Sequence, residues 1–175
     1  ISSDLPGIKL SSPERYARSR EVIEILKQSW TQDRIEFKGK HYQLNLPTDP
    51  VKPYQQNGGP LLYFGGYSPD GVDLCAEHCD VYLMWPETET KLQELMNNMT
   101  NKASEYDRTV QFGLRVHVIV RETEQEARAY AKDLLSKLDL DLGKDIRNRA
   151  QDATSLGVAR QAMLREEADN QHYVE

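Results

Sequence analysis

At 175 residues, with 38% hydrophobic and 29% charged side chains, the chain has the make-up of one soluble globular domain or a piece of a larger one. Its formal net charge is −6 and its 22 Lys and Arg are interspersed with acids, which argues against a nucleic-acid partner, since that needs a clustered cationic face. No stretch approaches the ~20 apolar residues that span a bilayer, so no membrane partner is expected.

The first residues, Ile1-Ser2-Ser3-Asp4, are neither a start methionine nor a basic and apolar leader, so the sequence is expected to begin within a longer protein or after trimming. Ser12-Pro13-Glu14 reads as a helix start, with Ser as cap, proline in the first turn and an acid at the positive end of the dipole. Val22, Ile23, Leu26 and Trp30 give that helix a core-facing stripe. Residues 31–60 read as an irregular connection, broken by Pro47, Pro50, Pro53, Pro60 and Gly58-Gly59, with a small hairpin over Phe37–Tyr42.

An alternation of strands and helices follows. Leu61–Phe64 is a short buried strand ending in Gly65-Gly66, and Ser68-Pro69-Asp70 opens a helix to about His78. Asp80–Trp85 is a second strand, and Leu92, Leu95, Met96, Met99 and Ala103 mark a second helix. Val110–Val120 is a third strand. Thr123 and Glu126 form a capping box for a helix bearing Ala127, Ala131, Leu134, Leu135 and Leu138. The tail from Asp139 is charged and weakly patterned, with a helix expected around Val158–Glu167. Such alternation implies an α/β fold of parallel strands joined by right-handed crossovers. Three strands do not close a barrel, which takes about 250 residues.

Two places suit chemistry. Gly65-Gly66-Tyr67-Ser68-Pro69 joins a strand end to a helix start, where free N–H groups, the helix dipole and the Ser68 hydroxyl suit a phosphate; the commoner reading of such a junction is that Ser68 is a plain helix cap and the glycines turn the chain. On the third strand, alternation puts Val110, Phe112, Leu114, Val116 and Val118 on one face and Gln111, Gly113, Arg115 and His117 on the other. In a closed barrel the second face points inward, where an arginine and a histidine need a site to justify them. An edge strand facing water, or an Arg paired with a structural carboxylate, would explain them as well. Cys75, His78 and Cys79 crowd one helical turn without a fourth ligand, which disfavours zinc, and the two cysteines read as reduced thiols of a cytoplasmic protein. Met96 and Met99 read as core packing, and Glu87, Glu89 and Glu94 as a solvated helix start.

Several blocks together resemble the bacterial-luciferase-like flavin monooxygenases, nearest the FMNH2-dependent alkanesulfonate monooxygenases. They are Glu14-Arg15-Tyr16, Gly39-Lys40-His41, Pro60 to Gly66, Ala76 to Trp85 and Phe112 to Thr123. The resemblance implies the middle half of a luciferase-like (β/α)8 TIM barrel, truncated at both ends, with 139–175 in a mobile insertion. It further implies reduced FMN delivered by a separate NAD(P)H-dependent reductase, with O2 as cosubstrate. A peroxyflavin would oxygenate an organosulfonate, releasing sulfite and an aldehyde. Tyr16 and Ser68, with Gly65 and Gly66, would hold the FMN phosphate, and Trp85 would line the flavin pocket. Arg115 would bind the sulfonate or peroxide and His117 would manage protons. A homo-oligomer is expected. Tyr67 departs from the family's Gly-Gly-Ser-Ser, and Trp85-Pro86-Glu87-Thr88 from its Trp-Gly-Glu-Pro. A deazaflavin-dependent oxidoreductase of the same superfamily and a truncated, non-catalytic binding or assembly module are the alternatives. With two bare sheet edges, the isolated segment is expected to be poorly stable.

Overall fold

The computed structural model describes residues 10–55, 58–136, 139–150, 157–160 and 162–164. They divide into two compact units, one ending at Arg115 and the other starting at Val116.

The first unit opens with helix α1 (Ser12–Thr31). Its cap is Ser11, one residue earlier than expected, because only Ser11 stands three residues ahead of Glu14, as a reciprocal capping box requires. The Ser12 hydroxyl is thereby free to donate to Asp70, at 3.2 Å. Of the expected stripe, Ile23 packs on the core and Trp30 is half-buried, while Val22 and Leu26 stay exposed. Within the proline-rich stretch stands a regular antiparallel hairpin, β1 (Arg34–Lys38) and β2 (Gln43–Pro47), with Phe37 opposite Leu44. It is wider than the hairpin expected, and its anchor is tertiary. The Glu21 carboxylate on α1 accepts the N–H groups of Lys40, His41 and Tyr42, at 2.7, 2.9 and 2.9 Å. Gly39 makes room for that carboxylate, since a Cβ there would collide with it.

Three parallel strands follow, β3 (Tyr63–Phe64), β4 (Val81–Met84) and β5 (Gln111–Leu114), in the order β3-β4-β5. Helix α2 (Pro69–His78) joins β3 to β4, and α3 (Glu89–Ser104) joins β4 to β5. Both helices lie where the sequence puts them. The strands are shorter than expected, and β5 is the clearest correction: it stops at Leu114, not Val120. A parallel strand extends only as far as its partner, and β4 gives out before Pro86, which has no N–H to pair. The last ladder bond runs from the Arg115 N–H to the Met84 carbonyl, at 2.9 Å.

One core forms on one face of this sheet. Tyr82 and Met84 of β4 meet Val72, Cys75 and Ala76 of α2 and Met99 and Ala103 of α3, with Leu62 and Phe64 at the margin. The opposite face is open at β3, where Leu61 and Tyr63 are each 59% exposed, while Val81 of β4 is buried on it. Cations close the carboxyl end of α2, where Lys27 donates to the His78 carbonyl and Arg108 to those of Glu77 and Cys79.

An ionic cluster ties α1, α2 and α3 together. Arg20 pairs with Asp73 and Glu77, Lys102 lies 3.1 Å from Asp73, and the Tyr106 hydroxyl donates to Asp73 at 2.8 Å. Burial alone would raise the Asp73 carboxyl. The bonds from Tyr106 and Lys102 and the charge of Arg20 outweigh it and hold the group below its ordinary value. A depressed carboxyl stabilises the fold above its unfolded-state pKa of about 3.9, and the contribution is lost as pH falls through the folded value. Urea midpoints should therefore drop less steeply on acidification below about pH 4 in Asp73→Asn than in the wild type. Equal acid sensitivity would show that the cluster contributes nothing through Asp73.

The second unit holds α4 (Glu124–Ser136) and α5 (Leu140–Ala150). The capping box is present, with Glu126 N–H to Thr123 Oγ1 at 3.2 Å and Thr123 N–H to the Glu126 carboxylate at 3.3 Å. Ala127 and Ala131 are half-buried, Leu134 is exposed, and Leu138 lies outside the described residues. Arg121 stacks on the Tyr130 ring at 3.7 Å. Helix α5 is capped by Asp139, whose carboxylate accepts from Asp141 and Leu142. In the region of the last expected helix, residues 157–160 and 162–164 are helical; Arg165–Glu167, like Ile1–Asp4, lie outside the described residues. No helix among the described residues is long and apolar enough to cross a membrane.

Candidate functional site

The turn from β3 into α2, Gly65-Gly66-Tyr67-Ser68, is built by residues from three elements. Ser68 is the N-cap of α2, and its Oγ accepts the Gly71 N–H at 3.2 Å. The same hydroxyl donates to the phenol oxygen of Tyr16 on α1, at 3.1 Å, across 52 positions of sequence. Tyr16 has accepted that bond and so keeps its own proton to offer. The result is a polarised chain, Gly71 N–H to Ser68 O–H to Tyr16 O–H, ending in a donor at the positive end of a helix.

Two glycines shape the space around that donor. Gly71 is buried, and a Cβ on it would stand 2.9 Å from the Tyr16 phenol oxygen and 3.1 Å from Ser68 Oγ. A Cβ on Gly66 would stand 3.6 Å from the same phenol oxygen. Phe64 holds the Tyr16 ring edge-on, with centroids 6.3 Å apart. Asp70 adds a negative charge in the first turn of α2, with the Ser12 hydroxyl bonded to it. The space bounded by these glycines holds one free hydroxyl donor, Tyr16 O–H, at a helix start suited to an anion, with the Asp70 carboxylate in the same turn acting against it.

Strand β4 supports the turn from behind. Tyr82 is 1% exposed, and its hydroxyl donates to the Gly66 carbonyl at 2.9 Å. Burial, with Tyr67 and Cys75 adding to it, pushes this phenol up to about 12, so it stays protonated and able to donate. The Trp85 N–H donates to the Tyr67 phenol oxygen at 3.1 Å. The Arg115 guanidinium lies 5.7 Å above the Trp85 ring, in cation–π range.

The expected site residues thus fall into two groups and one outlier. Tyr16, Gly66 and Ser68 meet at the turn, and Gly65 is the residue leading into it. Trp85 and Arg115 stack at the carboxyl end of the sheet. His117 is exposed and belongs to the second unit. Strand β5 is an edge strand here, and Gln111 and Arg115 are exposed. Among the described residues no carboxylate pairs with Arg115. Cys75, His78 and Cys79 are all buried. The bond from Cys79 and burial push the Cys75 thiol up, and burial pulls His78 down. No cluster among the described residues is disposed to hold a metal. Glu94 is bound to Lys91 and Glu89 lies exposed in the first turn of α3.

Sequence reasoning missed Gly71 and Tyr82, and read Tyr67 only as a departure from the family's motif, without its bond to Trp85. A signal for Tyr82 was available: alternation sends it toward the helices, and a buried phenol needs an acceptor nearby.

Comparison with known proteins adds to this geometry. Residues 5–174 match the family model described as luciferase-like monooxygenase. The chain is 57% identical to a sulfoquinovose monooxygenase of Agrobacterium fabrum (strain C58 / ATCC 33970) over all of its own length and 46% of that protein. It is 48% identical to a sulfoquinovose monooxygenase of Novosphingobium aromaticivorans, over all of its length and 48% of that protein. The chain thus spans about half the length of the curated relatives it matches. Among solved structures, an EDTA monooxygenase from Chelativorans sp. BNC1 superposes with a TM-score of 0.66 at 16% identity, covering 75% of this chain and 35% of that one, which is a likeness of fold.

Proposed function

The chain belongs to the luciferase-like monooxygenase family, and from that premise we propose that it supplies the FMN-phosphate turn and one active-site strand of a two-component monooxygenase acting on a sulfonated sugar. Its parallel strands and flanking helices are part of that family's (β/α)8 barrel. The observation that carries the functional reading is the meeting of Tyr16 and Ser68 at the start of α2, 52 positions apart in sequence.

Tyr16, Ser68 and the backbone of Gly65 and Gly66 hold the phosphate, and Trp85 walls the flavin ring. Arg115, stacked on Trp85, holds the sulfonate by charge-assisted hydrogen bonds. His117 moves a proton at the reacting group. Reduced FMN, when bound, supplies the electrons that activate oxygen, and a separate NAD(P)H-dependent reductase provides it. The substrate's carbon–sulfur bond breaks to give sulfite and an aldehyde. A sulfonated sugar is preferred over a simple alkanesulfonate because two relatives matching the whole chain are named for sulfoquinovose. The active protein is a homo-oligomer.

Titration by flavin fluorescence tests the phosphate site. FMN should bind at least about tenfold tighter than riboflavin, which lacks the phosphate, since hydrogen bonds to a charged group are worth about 1.5–3 kcal/mol. Ser68→Ala and Tyr16→Phe should each remove most of that preference and leave riboflavin binding unchanged. Equal affinity for the two flavins in the wild type would overturn the reading.

A further inference from the structure

We propose that Tyr67 is a positioning residue: its phenol oxygen ties the phosphate turn to the carboxyl end of β4 and holds the turn ready for the anion. This rests on the phosphate reading above. Tyr67 stands between Gly66 and Ser68, inside the turn. Trp85 is the first residue beyond β4, so its N–H is past the end of the strand's ladder, and Tyr67 accepts it at 3.1 Å. Three residues earlier on the same strand, Tyr82 donates to the Gly66 carbonyl at 2.9 Å. Two struts from one strand thus grip the turn, one through its backbone and one through a side chain.

They matter because the turn is led by two adjacent glycines, whose backbones are the freest of any residue. A loose turn would surrender that freedom on binding an anion, whereas a strutted one has already lost it on folding. The strut also links the phosphate end of the site to Trp85, and through the stacking contact to Arg115.

Tyr67→Phe keeps the ring and removes the acceptor. In the 175-residue chain the ratio of FMN to riboflavin affinity should fall about three- to fivefold, as for loss of one ordinary hydrogen bond, with riboflavin affinity unchanged. Hydrogen exchange at the Trp85 amide should accelerate. Tyr82→Phe, cutting the other strut, should move the ratio in the same direction. If Tyr67→Phe keeps the full preference for FMN, the positioning role is wrong while the phosphate site stands. If both flavins weaken in parallel, Tyr67 is only a packing residue and the proposal also fails. A wild type that does not prefer FMN would remove the site and this role together.

Discussion

Gly71→Ala is expected to weaken FMN binding by about thirtyfold or more while leaving the fold as stable as before, or slightly more so. The two halves of this expectation have separate causes. Alanine is the better helix former by about 0.8–1 kcal/mol, and Gly71 sits inside the first turn of α2 with no positive φ to protect. The new methyl group would stand 2.9 Å from the Tyr16 phenol oxygen, the far end of a side chain on another helix, which can swing away at little cost. What swings away is the donor at the end of the Ser68 chain. The hydrogen bond from Tyr16 to the phosphate is lost and the cradle beside it is filled. Chemical denaturation and flavin titration on the same variant separate the effects. An alanine variant that keeps its FMN affinity would show that Tyr16 does not reach the ligand. One that loses affinity only by unfolding would show the same of the local argument.

The second large effect is on stability. Met99 is wholly buried against α2 and β4 in the core of the first unit. Met99→Ala should cost about 2–5 kcal/mol, the range for deleting a large buried side chain where the surroundings close in only partly. Against a total of about 5–15 kcal/mol for an ordinary domain, that is a large fraction. It is larger still for a sheet whose second face is left open at Leu61 and Tyr63, each 59% exposed. Leu134→Ala on α4, at an exposed position, should stay within about 0.5 kcal/mol of the wild type. A cost for Met99→Ala below about 1 kcal/mol would mean that α3 does not seal the core in solution.

Helices α1 to α4 were legible in the sequence because their signals are local. Ser68-Pro69-Asp70 marks the start of α2, and the spacing of Leu92, Leu95, Met96 and Met99 marks the buried side of α3. Strand ends were not, because pairing decides them: Val116–Val120 alternates as a strand should, yet β5 stops at Leu114, opposite the last residue of β4, Met84. The hairpin in the proline-rich stretch was read too narrowly because its anchor is Glu21, a residue of α1 that no local pattern links to Lys40, His41 and Tyr42. Helix α5 was missed through its cap, since Asp139 was read as part of a charged tail.

The candidate site divides in the same way. The phosphate-type turn was visible as glycines between a strand and a helix, with plain capping the commoner explanation of such a junction. The pairing of Tyr16 with Ser68 came from family resemblance, since nothing in their spacing brings them together; folding does. The Ser68 hydroxyl caps the helix as acceptor and meets Tyr16 as donor. The struts from Tyr67 and Tyr82 depend on the register of β3 with β4, which composition and periodicity do not encode.

Amide chemical shifts of the isotopically labelled chain, followed while FMN and then riboflavin are added, would test the phosphate assignment most directly. FMN should move the amides of Gly66, Ser68 and Gly71, and riboflavin should leave those three in place. Movement of the same amides by both flavins, or FMN shifts confined to the hairpin and α3, would contradict it.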